Sequence, residues 1–354
     1  MTPDAKITVN GAVISSEFAN RLISLNVTDN SGANGDTISC DLNDGSPFIK
    51  IPNKGDLMKV WLGYKETGLT YFGEYTIESP VVHCLPYGLS INGKSASMRD
   101  TLKQQKTRHW DGKSLSNIMK EIASEHGLRT AISSDVAAFQ YDWIGQQNES
   151  DLNFCTRLAA RHGAVFSIKN GTLILSKRGN GYSASGNAMN ILVITPNMIV
   201  PGSCDIEFSA REHVGSVKAR HYSRKKAELV NVEEESSPSG TAVHTLPHPY
   251  ADEEEARAAA SSKAASLYME TTKVRVVISG NSLVRAGVPF IFANVRPGVD
   301  DIAFIVDSAS HMISKDGYIT MVEGHAAASE NVIAKERASK SRKKKTVKLV
   351  NVEE

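Results

Sequence analysis

The sequence predicts a mainly β protein with an α+β insert, in which two similar antiparallel β-barrels flank a small middle region of helices and a hairpin. Three observations lead there. The first hundred residues are short alternating apolar runs broken by turn clusters. Residues 143–178 read as one amphipathic helix followed by a tight hairpin. From about residue 193 the alternating texture returns, with glycine landmarks spaced much as in the first part. The expected units are a first barrel over 1–98, a middle region over 99–182, a second barrel over 183–330 and a charged tail over 331–354.

In the first unit, Ile7–Val9, Leu22–Val27, Thr37–Leu42, Leu57–Leu62, Tyr71–Ile77 and Leu89–Ile91 are the strand candidates. Asp29-Asn-Ser-Gly, Asn43-Asp-Gly-Ser and Pro52-Asn-Lys-Gly supply the turns between them. Strands this short, joined by tight turns, favour a barrel or sandwich.

The middle unit is the most densely specified. Ser150 is a helix N-cap, since its hydroxyl can accept from a free backbone N–H of the first turn. Asp151 puts negative charge at the positive end of the helix dipole. Leu152, Cys155, Leu158 and Ala159, with Phe154 beside them, form the apolar stripe. Gly163 suits the left-handed position that ends the helix. Val165–Ile168 and Thr172–Ser176 then pair across an Asn170-Gly171 turn. Trp143, Leu152, Phe154 and Leu158 are expected to form the core here, with Glu149 and Arg157 completing the motif. The segment from Ser114 to Gly127 repeats the design 36 residues earlier: Ser114 meets Ser150, Ile122 meets Leu158, and His126-Gly127 meets His162-Gly163.

In the last unit, Cys204–Phe208, Ser216–Tyr222, Lys273–Ser279, Val288–Asn294, Ile302–Asp307 and Tyr318–Glu323 are strand candidates. An alanine-rich helix over Asp252–Met269 interrupts them, with three glutamates in its first turn. Gly55, Gly68 and Gly88 in the first unit can be set against Gly287, Gly298 and Gly317 in the last. The tail carries Arg342-Lys343-Lys344-Lys345, and its composition predicts a segment that is mobile or ordered only by a partner. The words S-R-K-K and L-V-N-V-E-E occur both in the tail and at Ser223–Glu234.

Bulk properties narrow the function. A formal net charge of +1 over 354 residues gives no electrostatic case for nucleic acid or an anionic membrane. No basic and apolar leader opens the sequence, and no run approaches membrane-spanning length, so no membrane anchor is expected. Cys40, Cys84, Cys155 and Cys204 are scattered thiols that fit a reducing cytoplasm. No catalytic, cofactor or metal site is expected, because H-E-x-x-H, C-x-x-C and G-x-S-x-G are all missing. Glu149 and Asp151 read as capping residues, and His126 and His162 as C-terminal helix residues whose cationic rings would favour the dipole. The basic tail lacks interleaved aromatics, so no nucleic-acid site is expected there.

One alternative has a motif. Gly88-Leu-Ser-Ile-Asn-Gly93-Lys94-Ser95 satisfies G-x-x-x-x-G-K-[ST], with Val81–Leu85 as a preceding strand and Ser95–Gln104 as a following helix. Phe304–Asp307 resembles a strand ending in a magnesium-binding aspartate. This would make the chain a nucleotide-binding assembly ATPase. Against it, Leu89 and Ile91 alternate with Ser90 and Asn92 at strand period, where a phosphate cradle needs small, permissive residues.

Taken together, Thr28–Gly32, Asp36–Asp44, Lys54-Gly55-Asp56, Val60–Gly63, Phe72-Gly73, Ile91–Ser95, Trp110, Gln146–Gly163, Gly280–Leu283 and Ala286-Gly287 resemble the phage late control protein D family of tail baseplate hubs. These hubs are similar to the central hub protein of T4 and to the N-terminal part of VgrG spike proteins. Gln-x-x-Glu-Ser-Asp-Leu-x-Phe-x-x-Arg-Leu-Ala is the strongest shared stretch. The resemblance implies a homotrimer acting as a symmetry adaptor between a six-fold tail tube protein and a three-fold spike protein, beside other baseplate proteins. It implies a non-enzymatic virion protein of a contractile tail, made in the bacterial cytoplasm. It also implies a separate spike polypeptide that the basic tail could contact.

Overall fold

The computed structural model describes residues 1–13, 20–95, 100–179, 181, 183–184, 186–187, 189–209, 214–223, 227–236, 240–300 and 302–327. The expectations for the tail therefore lie outside the described residues.

The first part contributes β1 (Pro3–Val9), β2 (Ala12–Val13), β3 (Leu22–Asn30), β4 (Thr37–Asn43), β5 (Leu57–Tyr64), β6 (Gly68–Cys84) and β7 (Tyr87–Ser95). Period-two alternation decides what they bury: on β4, Ile38, Cys40 and Leu42 point inward while Thr37, Ser39 and Asp41 are half-buried. The strands lie in the order β3-β4-β7-β6-β5-β1, with antiparallel neighbours. Their inner faces share one core that includes Leu25, Val27, Val60, Leu62, Ile77 and Leu89.

The middle part contributes β8 (Gln105–Ser114), α1 (Leu115–Glu125), β9 (Arg129–Ile132), α2 (Ser134–Ala137), β10 (Gln140–Ser150), α3 (Asp151–Arg161), β11 (Ala164–Lys169) and β12 (Thr172–Lys177). Strands β8 and β10 form an antiparallel pair, and β11-β12-β9 a second small sheet. The repeat seen in the sequence is structural. Ser114 and Ser150 cap α1 and α3 by accepting from Asn117 N and Asn153 N, each at 3.2 Å. Gly127 and Gly163 take φ of 61° and 63° after the terminal residues His126 and His162. His109 lies opposite Gly145, its counterpart 36 residues on, while Trp110 faces Ile144 and Arg108 faces Gln146. Exchanging the two strands therefore maps this stretch of pairing onto itself, which is a local two-fold relation.

Both helices bury their stripes in one core with Trp110, Phe154, Leu158, Ile118 and Met119. Trp110 stacks on Phe154 with ring centroids 4.8 Å apart. Trp143 does not join this core: it is 60% exposed. Ile144 and Gln146 take the inward face of β10, so Trp143 and Gly145 turn outward. The indole lies over Gly145, where a Cβ would meet its ring at 2.8 Å.

The last part contributes β13 (Leu192–Ile194), β14 (Ile199–Phe208), β15 (Val214–Ser223), β16 (Glu228–Glu235), β17 (Ala242–Tyr250), α4 (Glu253–Glu270), β18 (Thr272–Ser279), β19 (Pro289–Phe292), β20 (Ala303–Ser314) and β21 (Gly317–Ala326). Asp252 caps α4 by accepting from Glu255 N at 2.8 Å. Ala256, Ala260 and Ala264 let α4 approach the separate sheet β16-β15-β17, where they pack on Val217, Ala219 and Val232. The other strands run β14-β18-β21-β20-β19, and β13 adds beside β19. Their core includes Val276, Ile278, Phe290, Phe292, Phe304 and Val322.

The two larger sheet units have the same topology. Taken in chain order, six strands of each lie second-third-sixth-fifth-fourth-first across the sheet. Their turns match in detail. Gly55 N donates to Ile77 O and Ile77 N to Asp56 O, both at 2.9 Å. Gly287 N donates to Val306 O at 2.7 Å and Val306 N to Val288 O at 3.0 Å. After Ile77 and after Val306 the register shifts by one residue, Glu78 and Asp307 being the extra residues of two bulges. Opposite them, Gly93 and Gly324 leave no room for a Cβ, which would meet the carbonyl oxygens of Thr76 and Ile305. One strand differs: β1 is antiparallel to β5, whereas β13 is parallel to β19.

The units also join. Strand β20 pairs with β3 from Ser308↔Asn30 to Ser314↔Ser24, so one sheet of 13 strands spans both, 11 of them along a single hydrogen-bonded path and β19 and β13 branching from β20. Among the described residues that path is open, without the pairing that would close either unit as a separate cylinder.

Candidate functional site

The strongest sequence motif folds into a buried charge cluster. Asp151, the first residue of α3, has its side chain fully out of solvent. Its carboxylate accepts from Lys106 Nζ and Arg108 Nη2, each at 2.7 Å, from Gln146 Nε2 at 2.9 Å, and lies 2.8 Å from His126 Nε2. Strand alternation sets Lys106 and Arg108 on one face of β8, and β10 brings Gln146 beside them. The Gln146 amide also accepts from Arg108 Nε at 2.9 Å and donates to Glu149 O at 2.7 Å. Glu125 of α1 closes the outer side through Lys106 at 2.9 Å and Arg108 at 2.5 Å. Burial pushes the Asp151 carboxyl up, but bonds from Lys106, His126 and Gln146 and the Arg108 charge outweigh it and hold it down at about 2.

Glu125, His126 and Asp151 place ligand-type atoms within 4.8 Å of one another. The set is poorly suited to a metal, because Lys106 and Arg108 already supply positive charge to both carboxylates. The cluster is a structural lock binding β8, β10, α1 and α3.

The remaining motif residues serve the same fold. Phe154 and Leu158 are fully buried, and Leu152 packs at the core's edge. Arg157 pairs with Glu149 at 2.8 Å, donates to Gly145 O at 3.2 Å and lies over the Phe154 ring. His162 is a buried ring stacked on Phe139 at 4.0 Å and hydrogen-bonded to Tyr141. Burial, with the Arg161 charge beside it, depresses its pKa to about 4. The expected cationic ring at this helix end is thus a neutral one at pH 7. Sequence reading missed Lys106, Arg108, Glu125 and Gln146 as a set; the one local signal was the alternating Lys106-x-Arg108 pair ahead of Trp110.

A second cluster ties all three parts together. Asp29 of β3 pairs with Lys169 of β11, and Lys169 also reaches Asp36 at 3.2 Å. Arg285 lies 3.8 Å from Asp29, donates to Tyr71 O at 3.2 Å and covers the Phe72 ring at 3.5 Å. Burial raises the Asp36 carboxyl above the usual range, with Lys169 opposing it.

The nucleotide-binding alternative fails on geometry. Gly88–Ser95 lies in strand β7, whose backbone is spent in ladders with β4 and β6, so it cannot wrap a phosphate. Lys94 points to solvent and pairs with Glu78 at 3.1 Å. The expected helix after it is a single 3-10 turn at Asp100–Lys103, residues 96–99 lying outside the described set. Asp307, the would-be magnesium ligand, lies 2.7 Å from His325 Nδ1. Burial drives the Cys40 thiol up to about 12 and raises Cys155 as well, which leaves both unreactive. No helix among the described residues is long and apolar enough to cross a membrane.

Comparison with known proteins agrees with the fold. The probable baseplate hub protein of Escherichia phage 186 is 32% identical over 197 residues, covering 56% of this chain and 51% of that protein. The chain spans about half the length of the curated relatives it matches. Among solved structures, the 43 kDa tail protein of prophage MuSo2 from Shewanella oneidensis superposes with a TM-score of 0.69 at 12% identity, covering 91% of this chain and 98% of that one. An Escherichia coli type VI secretion component, described as structurally similar to T4 tail proteins, matches with a TM-score of 0.58 at 10% identity, over 92% and 78% of the two chains. The family model of the phage tail baseplate hub (GPD) matches residues 74–317. With more than half of its length so matched, the chain belongs to the phage tail baseplate hub family.

Proposed function

We propose that this chain is a non-enzymatic hub subunit that assembles as a homotrimer and adapts the six-fold symmetry of a tail tube to the three-fold symmetry of a spike. The observation that carries the reading is the repeated sheet unit, with its shared strand order and matched bulges at Glu78 and Asp307. A subunit holding two like units offers six like surfaces per three copies. A ring can then meet a hexameric tube on one face while remaining threefold on the other. Ring closure would also cover strand edges that are aggregation-prone when left free.

In this reading residues 1–98 and 183–330 build the ring, and residues 99–182 form an insert fixed by the Asp151 lock. The tube protein, the spike protein and other baseplate proteins are the partners, and the assembled hub resides in the tail baseplate after synthesis in the bacterial cytoplasm.

The test is the mass in solution of the hub alone and mixed with its spike and its tube protein. The reading expects three hub copies in the complex with spike. A complex with one, two or six copies under every mixing condition would overturn it.

A further inference from the structure

The residues of Ser341–Lys344 and Leu349–Glu354 repeat those of 223–226 and 229–234, letter for letter. In the fold, the earlier hexapeptide is an edge strand. It forms β16, which among the described residues pairs with β15 alone in the sheet β16-β15-β17. Leu229 lies opposite Tyr222, Asn231 opposite Arg220, Val232 opposite Ala219 and Glu233 opposite Lys218. Val232 is the anchor: it is 6% exposed and packs with Val217, Ala219 and the alanines of α4. Glu233 accepts from Ser216 at 2.5 Å and pairs with Lys218 at 3.3 Å, while Glu234 pairs with Arg257 at 3.1 Å. Each of these contacts requires only a side chain that Leu349–Glu354 also carries.

We propose that Leu349–Glu354 is a second occupant of the β16 place on β15, with Val352 in the Val232 pocket, Glu353 on Ser216 and Lys218, and Glu354 on Arg257. The spacer between the two repeated words is two residues longer in the tail, which preserves the strand's two-residue alternation. Reach is sufficient. Strand β21, from which the tail departs, and β16 both pack against α4, an 18-residue helix whose length is about 27 Å. The stretch from 327 to 349 extends to about 70 Å. The cost of closing a loop rises slowly with its length, so the distant copy competes as a minority occupant and gains when β16 is weakened. A sheet with a spare strand lets β16 leave for another edge without exposing β15.

Hydrogen exchange on the full chain tests this, since flanking residues distinguish the two hexapeptides in a digest. Val232→Asp is expected to raise protection of the 349–354 amides at least tenfold while β15 stays protected. Val232→Asp with Val352→Asp should lose both effects. If 349–354 exchanges at one rate in wild type, single and double variants, or if β15 loses protection equally in the single and double variants, the proposal is wrong.

Discussion

Glu78 and Asp307 hold the same place in two copies of one structural motif. Each is the extra residue of a bulge, and each bonds to the residue that follows the glycine across the ladder. Glu78 meets Lys94 after Gly93 at 3.1 Å, and Asp307 meets His325 after Gly324 at 2.7 Å. The duplication thus extends from strand order down to the chemistry of one side-chain pair. A chance likeness of two sheets would not reproduce a bulge, a glycine and an acidic partner together.

The two glycines should be similarly intolerant. A Cβ at Gly93 or Gly324 would press on a neighbouring carbonyl oxygen of the ladder. Gly93→Ala and Gly324→Ala are each expected to cost about 1–3 kcal/mol, the usual range for overpacking. Denaturant titration would show this as a lower midpoint with unchanged slope. Wild-type midpoints for both variants would contradict the equivalence.

The Asp151 lock gives a pH signature. Its folded pKa of about 2 lies below the ordinary carboxylate value of 3.8, so its stabilisation is present above 3.8 and lost as pH falls towards 2. Asp151→Asn should lower stability at pH 7 and flatten the acid limb between those values. Asp151→Ala, which strands Lys106 and Arg108, is expected to cost on the order of 3 kcal/mol. An unchanged acid limb in Asp151→Asn would show that the lock does not titrate as described.

Leu158 and Trp143 separate core from surface within one motif. Leu158 is fully buried among α1 and β-strand side chains, so Leu158→Asp should abolish soluble folding. Trp143 is exposed, so Trp143→Ala should fold normally, with a stability change within about 1 kcal/mol. Soluble expression and thermal unfolding of the pair would check this. Equal damage from both would contradict the inward face assigned to β10.

Lys94→Ala should remove only an exposed ion pair and shift stability by less than about 1 kcal/mol. Titration calorimetry with ATP should give no binding heat for either wild type or variant. Saturable heat that Lys94→Ala abolishes would reopen the nucleotide reading.

Much of this was legible locally. Capping at Ser150, the left-handed Gly163 and the stripe through Phe154 and Leu158 are written within a dozen residues, and all appear as expected. The glycine landmarks also pointed to the repeated sheet. Strands β8 and β10 escaped notice because their inward positions include Lys106, Arg108 and Gln146, which read as solvent-facing until Asp151 is placed opposite. Strands β16 and β17 were missed for a similar reason: glutamates fill one, and His244, Pro247, His248 and Pro249 the other. The β20–β3 junction joins segments about 280 residues apart and leaves no local trace. Trp143 was expected in the core, but Ile144 and Gln146 hold the inward positions beside it and leave the indole 60% exposed.

The most direct test is a reconstruction of the hub assembled on its tail tube. The account predicts a ring of three chains in which the unit holding Glu78 and the unit holding Asp307 alternate around six equivalent tube contacts. A ring of six chains, with only one kind of unit facing the tube, would contradict it.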